Sequence, residues 1–233
     1  MKKSAIIAII LTVGLFAPSC VQGQGTVYFS NLGQTSTGSW TVGSDMWISA
    51  SFVTGTNSGG YNLNSIQLLT AQATGSPGNF SVSVYTHSAS VIFPGSSLGS
   101  LIGPDPGAGG TFTYASSGIA LTPSTLYFVV LTSATPVANG VYNWSYTSSS
   151  SYTSTSGWSF GSYRNTSSDG LVWGRTGGIY FQFGVNATAV PEPSTFALAG
   201  LGLICLNCWR RKRGTGQSFL PANHRALIEN RSS

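Results

Sequence analysis

The chain has 233 residues, of which only 6% are charged, 12% are aromatic and 30 are glycine. That length holds one domain with its own core once the two ends are set aside. The aromatic content excludes a disordered chain, which lacks the apolar groups that offset its ordering entropy. The net charge of +5 belongs to the ends: between Gln24 and Ala189 only Arg164 and Arg175 stand against Asp45, Asp105 and Asp169. A nucleic-acid binder needs a basic surface to neutralise phosphates, and this stretch has none.

Residues 1–23 read as a secretory signal peptide. Lys2 and Lys3 supply the positive start, and Ala5 to Phe16 supply an apolar run of the right length. Cleavage falls after Gly23, with Val21 and Gly23 as the small residues before the cut. An alternative makes Cys20 an acylated lipoprotein cysteine, although Ala17-Pro18-Ser19 is a poor approach to such a site. The apolar run is shorter than the ~20 residues of a spanning helix.

Residues 24–189 show period-2 alternation broken by Gly, Pro, Asn and Ser, and no amphipathic helix. In chain order, strands are predicted over Thr26–Asn31 and over Met46–Val53, where Met46, Ile48, Ala50 and Phe52 share a face. Over Tyr61–Leu69 the apolar phase slips between Leu63 and Ile66, which predicts a β-bulge or a twist. Asn79–Thr86 aligns Phe80, Val82 and Val84, and Thr111–Ala115 is a further strand. Leu126–Leu131 is apolar throughout, as a strand covered on both sides is. Val141–Thr147 is followed by a Ser/Thr tract to Ser156 that reads as a loop, then by strands over Gly157–Gly161 and Gly178–Asn186. About nine or ten short strands with glycine-rich turns predict an all-β fold: a two-sheet β-sandwich, most simply a jelly roll.

The succession Ala50-Ser-Phe-Val-Thr-Gly55, Tyr61-x-Leu-x-Ser-Ile66, Phe80-Ser-Val-Ser-Val-Tyr85, Leu121-x-Pro-x-Thr-Leu-Tyr127 and Gly157-Trp-Ser-Phe160 resembles the choice-of-anchor R domain. That resemblance implies a sandwich displayed at a surface, with no activity attached.

At the far end, Val190-Pro191-Glu192-Pro193-Ser194 is followed by an apolar run from Thr195 to Trp209 and then by Arg210, Arg211, Lys212 and Arg213. The prolines hold the Glu192 stretch out of regular pairing, and the basic cluster stays cytoplasmic by the positive-inside rule. Fifteen helical residues cover about 22 Å of a ~30 Å hydrocarbon core, a shortfall that snorkelling arginines or local thinning make up. This order, over residues 190–213, resembles the PEP-CTERM sorting signal. The resemblance implies a single membrane helix and a membrane protease, exosortase, that recognises Pro191, Glu192 and Pro193 and processes the tail. The polar extension of residues 214–233 departs from the family, whose members usually end just after the basic cluster.

The chemistry available to the domain is sparse. His87 is its one histidine, and all three cysteines (Cys20, Cys205 and Cys208) lie in the end segments, so no disulfide framework or thiol nucleophile is expected. Cys205-x-x-Cys208 has a redox or zinc spacing, but an apolar segment without further ligands makes it a chance pair. A serine triad would have to combine His87 with one of three aspartates, and no Gly-x-Ser-x-Gly elbow is present. No glutamate stands between Gln24 and Ala189, so a glycosidase pair would have to come from those same widely spaced aspartates. Asp105 and Asp169 sit in Asp-Pro and Asp-Gly turns, which are either ordinary turns, the favoured reading, or weak Ca²⁺ loops. Tyr142, Trp144 and Tyr146 share one strand face, as a core face does and as a sugar-stacking platform does; the core reading is preferred.

The expectation is an exported, envelope-anchored sandwich of structural or interaction type, without cofactor or bound metal, associated with an exopolysaccharide matrix. A surface carbohydrate-binding module is the alternative, and a degradative enzyme is the third reading.

Overall fold

The computed structural model describes residues 25–88, 92–192, 200 and 202–206. A compact unit ends at Val190, and a second begins at Pro191. The chain enters the first unit through β1 (Thr26–Ser30) and β2 (Gly38–Val42), and turns at Asp45 into β3 (Trp47–Val53). The longest strand, β4 (Tyr61–Gly75), is followed by β5 (Ser81–His87), β6 (Pro94–Leu101), β7 (Gly110–Ala115) and the short β8 (Ala120–Leu121). Next come β9 (Leu126–Thr132), β10 (Gly140–Thr147) and the two-residue β11 (Thr153–Ser154). The unit closes with β12 (Ser159–Ser167), β13 (Trp173–Arg175), β14 (Tyr180–Phe181) and β15 (Phe183–Ala189).

These strands form two sheets. One has six strands in the order β13-β12-β3-β9-β5-β6. The other has nine: the path β11-β1-β15-β4-β10-β14, with β7 and β8 also on β4 and β2 also on β10. Every pairing of named strands is antiparallel. The all-β, two-sheet architecture is therefore the one the alternation predicts.

Period-2 patterning places the core. Ile48, Ala50, Phe52, Val82, Val84, Val129 and Leu131 from the six-stranded sheet join one buried cluster with Phe29, Ile66, Leu68, Trp144, Phe181, Phe183 and Val185 from the other. Near one end, Tyr28, Trp158, Phe52 and Tyr127 form a column of stacked rings with centroids 5.1, 5.8 and 5.8 Å apart. Phe128 and Val130 point the other way and make a second cluster with Trp173, flanked by Trp47, Tyr85, Phe93 and Leu126. That two-sided cover is why β9 is apolar without alternation.

The phase slip in β4 is a bulge. Ser65 pairs with Asn186 but Leu63 with Ala187, which leaves Asn64 as the extra residue. Its amide donates to Asn186 Oδ1 at 3.1 Å and Thr188 Oγ1 at 2.9 Å, so the irregularity is fastened by side chains.

The sheets hold more strands than the alternation reveals. β2 and β6 were hidden because edge strands with few buried positions carry no period-2 signal; β6 is exposed over most of its length. The Ser/Thr tract read as one loop contains β11, which pairs with β1. The strand read as Gly178–Asn186 is broken in two at Gln182.

Candidate functional site

The registers define two ends of the sandwich. At one end Trp47 pairs with Ser167, and Ser81 pairs with Thr132. At the other, Val53 pairs with Ser159 and Leu126, Thr86 with Tyr127, and Ala189 with Tyr61. The seven residues of β5 separate the ends by about 20 Å.

All three aspartates of the domain stand at the first end, each accepting backbone N–H groups. Asp45 Oδ1 accepts from Val137 at 2.8 Å and ties the β2–β3 turn to the β9–β10 loop. Asp105 Oδ1 accepts from Phe80 at 2.9 Å, joining the β6–β7 loop to the start of β5. Asp169 Oδ1 accepts from Leu171 at 2.8 Å and Val172 at 3.2 Å, closing the β12–β13 turn. Those two backbone donors hold the Asp169 carboxyl below its ordinary pKa, with help from Ser167. The same turn needs glycine at 170: φ is +76°, and an added Cβ would come within 2.7 Å of the Trp47 ring.

His87 lies at the opposite end, exposed, beside β6 at Pro94. The aspartates and the histidine that a triad would need are thus a strand length apart. Among the described residues, no three His, Cys, Asp or Glu side chains are grouped as a metal site.

The aromatic strip of β10 faces the core. Trp144 is fully buried and stacks on Phe181 at 4.5 Å, and its indole N–H donates to Gln182 O at 3.0 Å. Tyr142 is buried, and its hydroxyl donates to Pro77 O at 3.1 Å. Tyr146 is half-buried, edge-on to Phe181. No flat platform exists there on which a sugar ring could stack.

Sequence reasoning missed a polar junction beside this strip. Here β4 hands its edge from β15 to β10, and Gln182 sits buried between the three. Gln182 O accepts from Leu69 at 3.1 Å, Gln182 N–H donates to Ser145 O at 2.9 Å, and its side-chain amide donates to Gln34 O at 2.6 Å. Asn31 spans the break: its amide donates to Phe181 O at 2.9 Å, and its Oδ1 accepts from Phe183 N–H at 2.8 Å. The available signal was a glutamine between two core phenylalanines, at a position that alternation assigns to solvent.

The last element of the site is where the chain leaves the fold. Val190 N–H donates to Gly60 O at 3.0 Å, and Asn57 Nδ2 donates both to Gly60 O at 2.6 Å and to Val190 O at 2.9 Å. Pro191 and Glu192 follow at once, exposed and outside any strand or helix. Pro193, the basic cluster Arg210, Arg211, Lys212 and Arg213, and the polar extension lie outside the described residues, as does the whole signal segment with Gly23. Gly200 and residues 202–206 are helical, and no helix among the described residues is long and apolar enough to cross a membrane.

The geometry defines an all-β sandwich whose final strand runs directly into an exposed Pro-Glu segment. Residues 189–212 match the PEP-CTERM protein-sorting motif, so the tail carries a sorting signal of that type. No curated protein and no solved structure matches the chain.

Proposed function

We propose that this chain is an exported surface protein whose tail is processed by an exosortase-type membrane enzyme at Pro191, Glu192 and Pro193. The sandwich is the displayed cargo: a structural or interaction module of jelly-roll type, of the choice-of-anchor R kind, held in the envelope and associated with its exopolysaccharide matrix. The observation that carries this reading is the sorting motif at residues 189–212, continuous with the last strand of a sheet. The apolar run after the motif holds the unprocessed chain in the membrane, with Arg210 to Arg213 on the cytoplasmic side.

A non-catalytic role is supported by the use made of the acids. Asp45, Asp105 and Asp169 each bind backbone N–H groups, and His87 stands at the other end of the sheet. A general acid or base needs a group within hydrogen-bond reach of a partner that it serves in turn. The carbohydrate-module reading loses its platform with the burial of Trp144 and Tyr142.

Cell fractionation tests the proposal. Deleting residues 190–233 releases the domain to the periplasm or medium, while the full chain stays with the envelope. Replacing Pro191, Glu192 and Pro193 by alanine leaves the chain at its unprocessed mass. Equal release of the full and shortened chains would sink the sorting role.

A further inference from the structure

We propose that Asn57 is a positioning residue for processing of the tail: it clamps the end of the last strand, and the enzyme gains the sorting motif only when that clamp opens. This rests on the reading above, that an exosortase-type enzyme acts on Pro191-Glu192-Pro193.

The sorting motif and the fold overlap. The motif begins at residue 189, whereas β15 runs to Ala189, paired with Tyr61, and the compact unit runs to Val190. No residue stands between the last one held by the sheet and Pro191. A proline has no N–H to continue a ladder, so regular pairing must stop at Val190. There Asn57 takes over, its amide meeting Val190 O at 2.9 Å while Gly60 O holds Val190 N–H at 3.0 Å. Both backbone groups of Val190 are thereby occupied.

The clamp is itself braced. Asn57 N–H donates to Tyr61 Oη at 3.2 Å, and Gly60 N–H donates to Asn57 O at 2.9 Å. Gly60 adopts φ +77° with Leu121 O so close that an added Cβ would come within 2.7 Å. This loop is a shaped receptor for the end of β15.

On that reading the enzyme takes up Pro191-Glu192-Pro193 together with the residues just before it, as an extended segment. The upstream side is already a strand in the sandwich. Access therefore requires the last residues of β15 to peel from Gly60 and Tyr61, a local opening that leaves the rest of the sheet intact. Asn57 sets how often that opening occurs.

The test follows the full chain by pulse-chase in cells carrying an exosortase, scoring processed against unprocessed mass. Asn57→Ala is expected to speed processing by up to about tenfold, the effect of losing the one modest hydrogen bond to Val190 O. Inserting Gly-Ser-Gly-Ser between Val190 and Pro191 supplies a free upstream segment with the clamp intact, and is expected to speed processing as much. In the inserted chain Asn57→Ala should then add nothing, because the step it controls has been bypassed. A merely structural role would give the same Asn57→Ala effect in both chains, and that result overturns the proposal. So does an inserted chain that is processed no faster than the unmodified one, a result that decides the matter alone if Asn57→Ala lowers the amount of folded protein. Glu192→Ala separates the two readings: if it leaves processing unchanged, or if no chain is processed at all, the sorting role fails and this proposal with it.

Discussion

Trp144 shows how one side chain joins packing to topology. It fills the space between β10 and Phe181, and its indole N–H satisfies a carbonyl at the junction where β4, β10 and β15 meet. Trp144→Ala removes both, and is expected to cost about 3–5 kcal/mol, a large part of the ~5–15 kcal/mol that stabilises a typical domain. Denaturant unfolding of the variant measures this; a loss under about 0.5 kcal/mol would place the ring at the surface. Tyr142, two residues earlier, carries a pH signature. Burial, then the nearby Asp105 carboxylate, push its phenol up to about 12, and the same two causes raise Tyr114. An unfolded tyrosine ionises near pH 10, so between about pH 10 and 12 the unfolded chain sheds a proton that the folded chain retains. The contribution of Tyr142 to stability is therefore fully present below pH ~10 and is lost as pH rises through about 12. Melting temperatures taken across that range should fall less steeply in Tyr142→Phe; an equal slope would mean that Tyr142 is not responsible.

At the scale of elements, each carboxylate of the domain fastens a turn. The β12–β13 turn is the clearest case, since Asp169 accepts from both Leu171 and Val172 and Ser167 donates to it at 3.1 Å. Because those bonds favour the ionised carboxyl, its contribution is present above the ordinary carboxylate pKa and fades as pH falls through the lower folded value. The amide resonances of Leu171 and Val172 should titrate with that depressed pKa, and Asp169→Ala should abolish the titration and speed their hydrogen exchange. A midpoint at or above the ordinary carboxylate value would contradict the assignment. Much of this level was legible in the residues. The apolar phase slip pointed to the bulge at Asn64, and the unbroken apolar run pointed to a doubly covered β9. The break at Gln182 was not legible, because alternation gives the face of a residue and cannot tell which neighbour borders it.

For the whole molecule, the order of synthesis matters. β15 lies between β1 and β4, so the nine-stranded sheet closes only when the residues just before the sorting motif are in place. A chain ending at Val190 should fold, whereas one ending at Gln182 should not, because β1 and β4 lose the strand that pairs with both and the core loses Phe183, Val185 and Ala187. Amide dispersion in NMR spectra, or near-UV circular dichroism, distinguishes the two; a folded short chain would show β15 to be dispensable. Pairing residues so far apart in sequence also makes slow folding the expectation.

The residues alone determined the fold class, because strand alternation and scarce charge are local properties, and they determined the sorting tail, because its signal is contiguous. The placement of the chemistry was decided only by tertiary structure. Three aspartates about 60 residues apart in sequence come to one end of the sandwich, and His87 goes to the other, because antiparallel registers fix which turns share an end. Whether Trp144 faced core or solvent depended on a second sheet that period-2 alternation cannot see. The clamp of Asn57 on Val190 joins residues 133 positions apart, and only the pairing of β15 with the start of β4 brings them within reach.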